Sequence, residues 1–181
     1  MAGASQVIRR LALCISGAIA LGGPGRSAWA QTRWDRYQPG TLSAIIKVQD
    51  STIRAEAAGD RNPSFHFSGE QFPTRARVIY KGESRPVNSM RLEVVRRWGL
   101  AFHRDSSIAN DFHREYLFQE GRDSLWLPVQ DTVASFFARE LKPGQPVALY
   151  VTWLGAYFHE GIIEWAFTVN EFSTKPFGRS F

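Results

Sequence analysis

The chain has 181 residues, a formal net charge of +5 and one cysteine, Cys14. A single cysteine excludes an internal disulfide, an iron–sulfur cluster and a cysteine-based zinc site. The excess of basic residues is a possible footprint for an anionic partner, so its position along the chain decides what it means.

Residues 1–30 read as an export signal. Arg9-Arg10 precede an apolar run over residues 11–21, then Gly22-Gly23-Pro24-Gly25, then Ala28-Trp29-Ala30 before Gln31. A charged start, a short apolar middle and a small-x-small site are the parts of a cleaved bacterial signal peptide. The apolar run is shorter than the roughly 20 residues a spanning helix needs. Leu13 before Cys14 does not suit lipoprotein processing. The route stays open between twin-arginine and ordinary secretion. Cleavage after Ala30 removes three arginines, no acid and the cysteine, so the charge falls from +5 to +2. The expected destination is the periplasm or the medium. Composition no longer points to a nucleic-acid-coating protein, and no later stretch predicts an integral membrane protein.

Residues 31–40 form a polar arm ending in Pro39-Gly40. Leu42, Ala44, Ile46 and Val48 alternate with Ser43, Ile45 and Lys47, which predicts a strand. After a turn at Asp50-Ser51, Ile53, Ala55 and Ala57 predict a second strand. Phe65 and Phe67 flank His66 in a third. Residues 75–80 alternate again, with Ala76, Val78 and Tyr80 opposite Arg75, Arg77 and Ile79, and residues 81–86 read as a turn. The period then lengthens. Met90, Val94, Trp98 and Phe102, with Val95, make one apolar stripe of a helix over Ser89–His103, capped by Asn88 or Ser89.

Residues 105–111 are polar, with room for one helical turn. A hairpin follows over residues 114–119 and 124–129, and Pro128 places its second strand at an edge or a strand end. Residues 132–141 predict a second helix, capped by Asp131, with Val133, Phe136, Phe137 and Leu141 buried. Residues 147–154 are nearly all apolar, as in a strand covered on both faces. Residues 155–161 read as a loop. Ile163, Trp165, Phe167 and Val169 then mark a half-buried strand, and residues 173–181 a flexible tail.

The expected organisation is one β-rich domain over residues 41–172. Its class is α+β, a mostly antiparallel sheet or OB-like barrel with two helices. The order over residues 115–172 (hairpin, helix, strand, strand) resembles the second half of an OB-type barrel, in which a helix plugs one barrel end. The chain also resembles small exported proteobacterial proteins of unassigned function, a likeness that carries no site residues.

Arg75, Arg77, Lys81, Arg85, Arg91, Arg96 and Arg97 stand against Glu83 and Glu93, which concentrates +5 in residues 75–97. With Tyr157, Phe158 and His159 in the expected loop, Arg75, Arg77, Arg91, Arg96 and Arg97 are the candidate ligand-binding residues. Arginine forks suit carboxylate and phosphate, and loop aromatics suit stacking. The reading is an exported, non-enzymatic binding domain for a protein or an anionic glycan or lipid of the envelope. The alternative is an envelope hydrolase or metalloenzyme centred on His159 and Glu160. The histidines are otherwise scattered. No Gly-x-Ser-x-Gly, His-Glu-x-x-His or phosphate-binding glycine loop occurs, and no motif calls for a cofactor or metal.

Overall fold

In a computed structural model, which describes residues 35–57 and 62–175 (side chains of 68–71 excepted), five strands close into a ring. The export signal lies outside the described residues. After a two-residue strand β1 (Gln38–Pro39) come helix α1 (Leu42–Glu56), β2 (Ser64–Pro86), α2 (Ser89–His103), a 3₁₀ helix (Ser106–Asp111), β3 (Arg114–Glu120), β4 (Asp123–Val129), α3 (Asp131–Glu140), β5 (Pro146–His159) and β6 (Ile162–Ser173). The ring runs β2-β3-β4-β6-β5 and back to β2. Every pair in it is antiparallel except β4 with β6. The domain is α+β, with a barrel-like, OB-like ring. Helix α3 lies between the third and fourth ring strands, as the order of elements predicted, and the ring extends back to β2.

The expected alternation places the core. Ala76, Val78 and Tyr80 of β2 point inward to meet Phe118, Leu127, Val129, Val147, Leu149, Val151, Trp153, Phe167 and Val169. Val133, Phe137 and Leu141 of the α3 segment pack on the same cluster. Phe136 of that helix is exposed instead, under Arg139. The second apolar cluster lies under α2, where Val95 and Trp98 meet Ala109, Phe112 and Leu154. Asn88 caps α2 by accepting from the Met90 and Arg91 amides. The predicted stripe of α2 is buried only in its middle, since Met90 and Phe102 at its ends are exposed.

Three expectations are corrected. Residues 42–57, read as two strands, are the single helix α1. Leu42, Ile46 and Ile53 recur at helical spacing as well as alternating with their neighbours, and the alternation was incidental. The Thr41 hydroxyl caps α1 by accepting from Ala44, and Asp50 pairs with Arg54 one turn on. The buried Glu120 carboxylate accepts from the Leu42 amide at 2.9 Å and the Ser43 amide at 2.8 Å. A tertiary contact thus satisfies the first amides of the helix, something no local reading could supply.

The other two corrections concern turns. Residues 81–86 continue β2, which runs 23 residues and bends at irregularities between Phe67 and Phe72 and between Tyr80 and Ser84. Residues 155–161, expected as a loop, belong mostly to β5, and only Glu160-Gly161 turn the chain, both at positive φ. Because the apolar side chains of 155–159 face both ways, their pattern lacks the alternation that marks a half-buried strand.

β3 and β5 run in the same direction, so the two hairpin turns lie at one end of the barrel. α1 is strung between them. Its start is held by Glu120, and near its end Arg54 donates to the Gly161 carbonyl at 3.1 Å.

At Gly155, φ is +152°, and a Cβ there would lie 2.2 Å from the His66 carbonyl oxygen. β2 and β5 approach this closely only because the side chain is missing. Gly155→Ala is expected to lower stability by about 2 kcal/mol or more. Urea unfolding at constant slope would measure it, and an unchanged midpoint would contradict the strained packing.

Candidate functional site

The arginines of residues 75–97 follow two different fates. Arg75 and Arg77 point outward from β2, opposite Tyr150 and Ala148 of β5. Arg77 is exposed beside Gln145, Pro146 and Lys175 in a shallow depression. On α2, each arginine of the expected face already has a partner. Arg96 and Arg97 both pair with Glu93, Arg97 at 2.8 Å, and hold its carboxyl below the ordinary range. Arg97 also lies 4.0 Å from the centre of the Phe65 ring.

Arg91 points into the fold. It donates to Glu115 at 2.8 Å, to Glu164 at 2.9 Å and to the Trp126 carbonyl at 3.4 Å. Glu115 is 0% exposed and takes a second cation, Arg85, which also covers the Trp126 ring at 4.0 Å. One guanidinium thus ties α2 to β3, β4 and β6. The structure gives Arg91 an internal role, and Glu115 and Glu164 from outside the segment answer two of its five net charges.

The aromatic candidates are also placed in strand β5. Tyr157 is half-buried, with its ring 5.0 Å from that of Phe65. Phe158 is buried against Ile53 and Ala156. His159 ends β5, 6.2 Å from the Tyr157 ring. Among the described residues no group of three or more His, Cys, Asp or Glu side chains is arranged to hold a metal ion, so His159 and Glu160 gain no third ligand.

A cleft of about 320 Å³ opens elsewhere, between α2, the 3₁₀ helix, the arm before β1 and the outer face of β5–β6. Trp98, Tyr37, Phe112 and His103 contribute its aromatic surface, with the Trp98 and His103 rings 4.6 Å apart. Its polar floor comes from Thr152, Thr168 and Asn170. The Asn170 amide donates to the Tyr37 hydroxyl at 3.1 Å and to the Thr152 hydroxyl at 2.9 Å. Arg36 is exposed and supplies the cation of the lining, His103 adds an exposed imidazole, and the lining includes no carboxylate.

Sequence reasoning absorbed these residues into other roles. Trp98 belonged to a helix stripe and Thr152 to an apolar strand. The signal available was the polar set Thr152, Thr168 and Asn170 inside two strands otherwise rich in buried apolar residues. Thr152 and Thr168 are cross-strand partners. No known family, curated protein sequence or solved structure matches the chain.

Arg91→Met leaves the buried Glu115 with only its partly exposed partner Arg85 and is expected to cost about 3–5 kcal/mol. Adding Glu115→Gln should restore part of that loss, because a neutral amide no longer requires the buried cation. Chemical unfolding of the single and double variants measures both steps.

Proposed function

We propose that the protein is an exported binding domain whose ligand sits in the cleft between α2 and the β5–β6 face. The observation that carries this reading is the composition of that cleft: aromatic faces, a floor of neutral hydrogen-bonding groups, one exposed arginine and no carboxylate in the lining. Its volume of about 320 Å³ is at the lower end for small-ligand sites. Aromatic faces with amide and hydroxyl groups suit a sugar ring, and Arg36 suits an acidic substituent on it. Of the envelope partners considered, an anionic glycan therefore fits best. The outward Arg77 and the exposed Lys175 can extend the contact electrostatically.

Titration of labelled protein with acidic oligosaccharides at low salt tests the cleft. Chemical-shift changes should map to Trp98, His103 and Asn170. Arg36→Ala is expected to weaken binding roughly tenfold and flatten its salt dependence. Changes that map instead to Arg77, Arg96 and Arg97, with the cleft silent, would return the site to the arginine segment. Export has its own measurement: the protein recovered from the periplasm or medium should begin at Gln31.

A further inference from the structure

Ser64, His66 and Glu56 form a hydrogen-bonded line outside the cleft. Ser64 opens β2 and His66 follows two residues later, so both side chains lie on one face of the strand. Their register partners are Phe158 and Ala156 of β5, which pack on Ile53 of α1. Glu56 is the last residue of α1. The Ser64 Oγ lies 2.9 Å from His66 Nε2, and His66 Nδ1 lies 3.0 Å from Glu56 Oε2.

With Glu56 ionised and His66 neutral, these contacts set the proton positions. An ionised carboxylate only accepts, so Nδ1 of a neutral His66 must carry the hydrogen. Nε2 is then the acceptor, and Ser64 donates to it. A hydroxyl donating to an imidazole that a carboxylate orients is the arrangement that activates a serine nucleophile. Glu56 is 60% exposed and His66 16%, so the line opens to solvent at its carboxylate end. Ile53, Ala156 and Phe158 are buried beneath it, with Ile163 and Trp165 packed against them, and hold β2 and α1 in place.

We infer that Ser64 is an acyl-accepting nucleophile, with His66 as its general base and Glu56 as the positioning residue, acting on carboxylic esters. Ser64 Oγ adds to the ester carbonyl carbon as its proton passes to His66 Nε2. The bond to the leaving alcohol then breaks, and the alcohol oxygen takes that proton. Water, deprotonated by His66, attacks the acyl-Ser64, releases the acid and restores the hydroxyl. This activity is separate from ligand binding in the cleft, and neither depends on the other.

The test treats purified protein with an alkyl fluorophosphonate and, separately, with p-nitrophenyl butyrate, followed by intact mass and peptide mapping. One adduct on Ser64 is expected, absent in Ser64→Ala. His66→Asn should label roughly hundredfold more slowly, and added imidazole should recover part of the rate in His66→Gly. Glu56→Gln should slow labelling while leaving the thermal midpoint near wild type. Ser135→Ala, at an exposed serine of α3, should label normally. Wild-type protein without an adduct on Ser64, or His66→Asn labelling at the wild-type rate, would overturn the proposal. The line would then be only a clasp between α1 and β2.

Discussion

β2 has to pair with two other long strands besides the short β1, and the ring exists because it does. Its first part pairs with β5 and its last part with β3, with a stretch around Ile79 shared by both. A flat strand cannot turn from one partner to the other. The two irregularities in β2 and the positive φ of Gly82 supply the bend. The matching irregularity in β5 falls at Gly155, where the two backbones come closest. Once β2 has curled, the inward residues of five strands face one another. Phe137 of α3 then reaches Tyr80, Tyr116, Phe118 and Phe172 in edge-on contacts.

The weakest seam of the ring is between β4 and β6, which are parallel and share a single register pair, Val129 with Val169. Arg91 crosses that seam, reaching the Trp126 carbonyl on β4 and the Glu164 carboxylate on β6. A buried ion network confers little net stability over an apolar core. Its geometric effect is larger: three strands and a helix must take one relative position for Glu115 to find its cations. That position also sets α2 beside β5–β6, and so forms one wall of the cleft. Two arginines of a basic segment that looks in the sequence like a surface for anions, Arg85 and Arg91, are instead the fastening that shapes another site.

What was legible follows from what each pattern measures. α2 was read to its observed ends because Asn88 is a local cap and its apolar period is local. The hairpin β3–β4 was read within a residue at each inner end for the same reason. Helix α1 was misread because the alternation over residues 42–48 competed with its local Thr41 cap and helical spacing, while the Glu120 contact that adds to the cap comes from 77 or 78 residues away. The ring strands β5 and β6 were recognised as buried, yet burial by α2 and burial inside the barrel look alike in a linear pattern. The candidate sites were least legible. The cleft draws on residues from 36 to 170, and although Glu93 with Arg97 is legible as a pair one turn apart, charge counted along the chain could not show that Arg91 points to Glu115 and Glu164.

The placement of α1 joins these observations. Its start is fixed at the β3–β4 hairpin by Glu120 and its end at the β5–β6 hairpin by Arg54. With both ends held, the helix cannot slide or rotate by a residue without losing one anchor or exposing Ile53. That fixes which residue of the last turn meets β2, and the residue there is Glu56. The Glu56–His66 contact thus follows from anchors that have no chemistry of their own. The orientation of the imidazole toward Ser64 is set by the closure of this end of the barrel as much as by the carboxylate it faces.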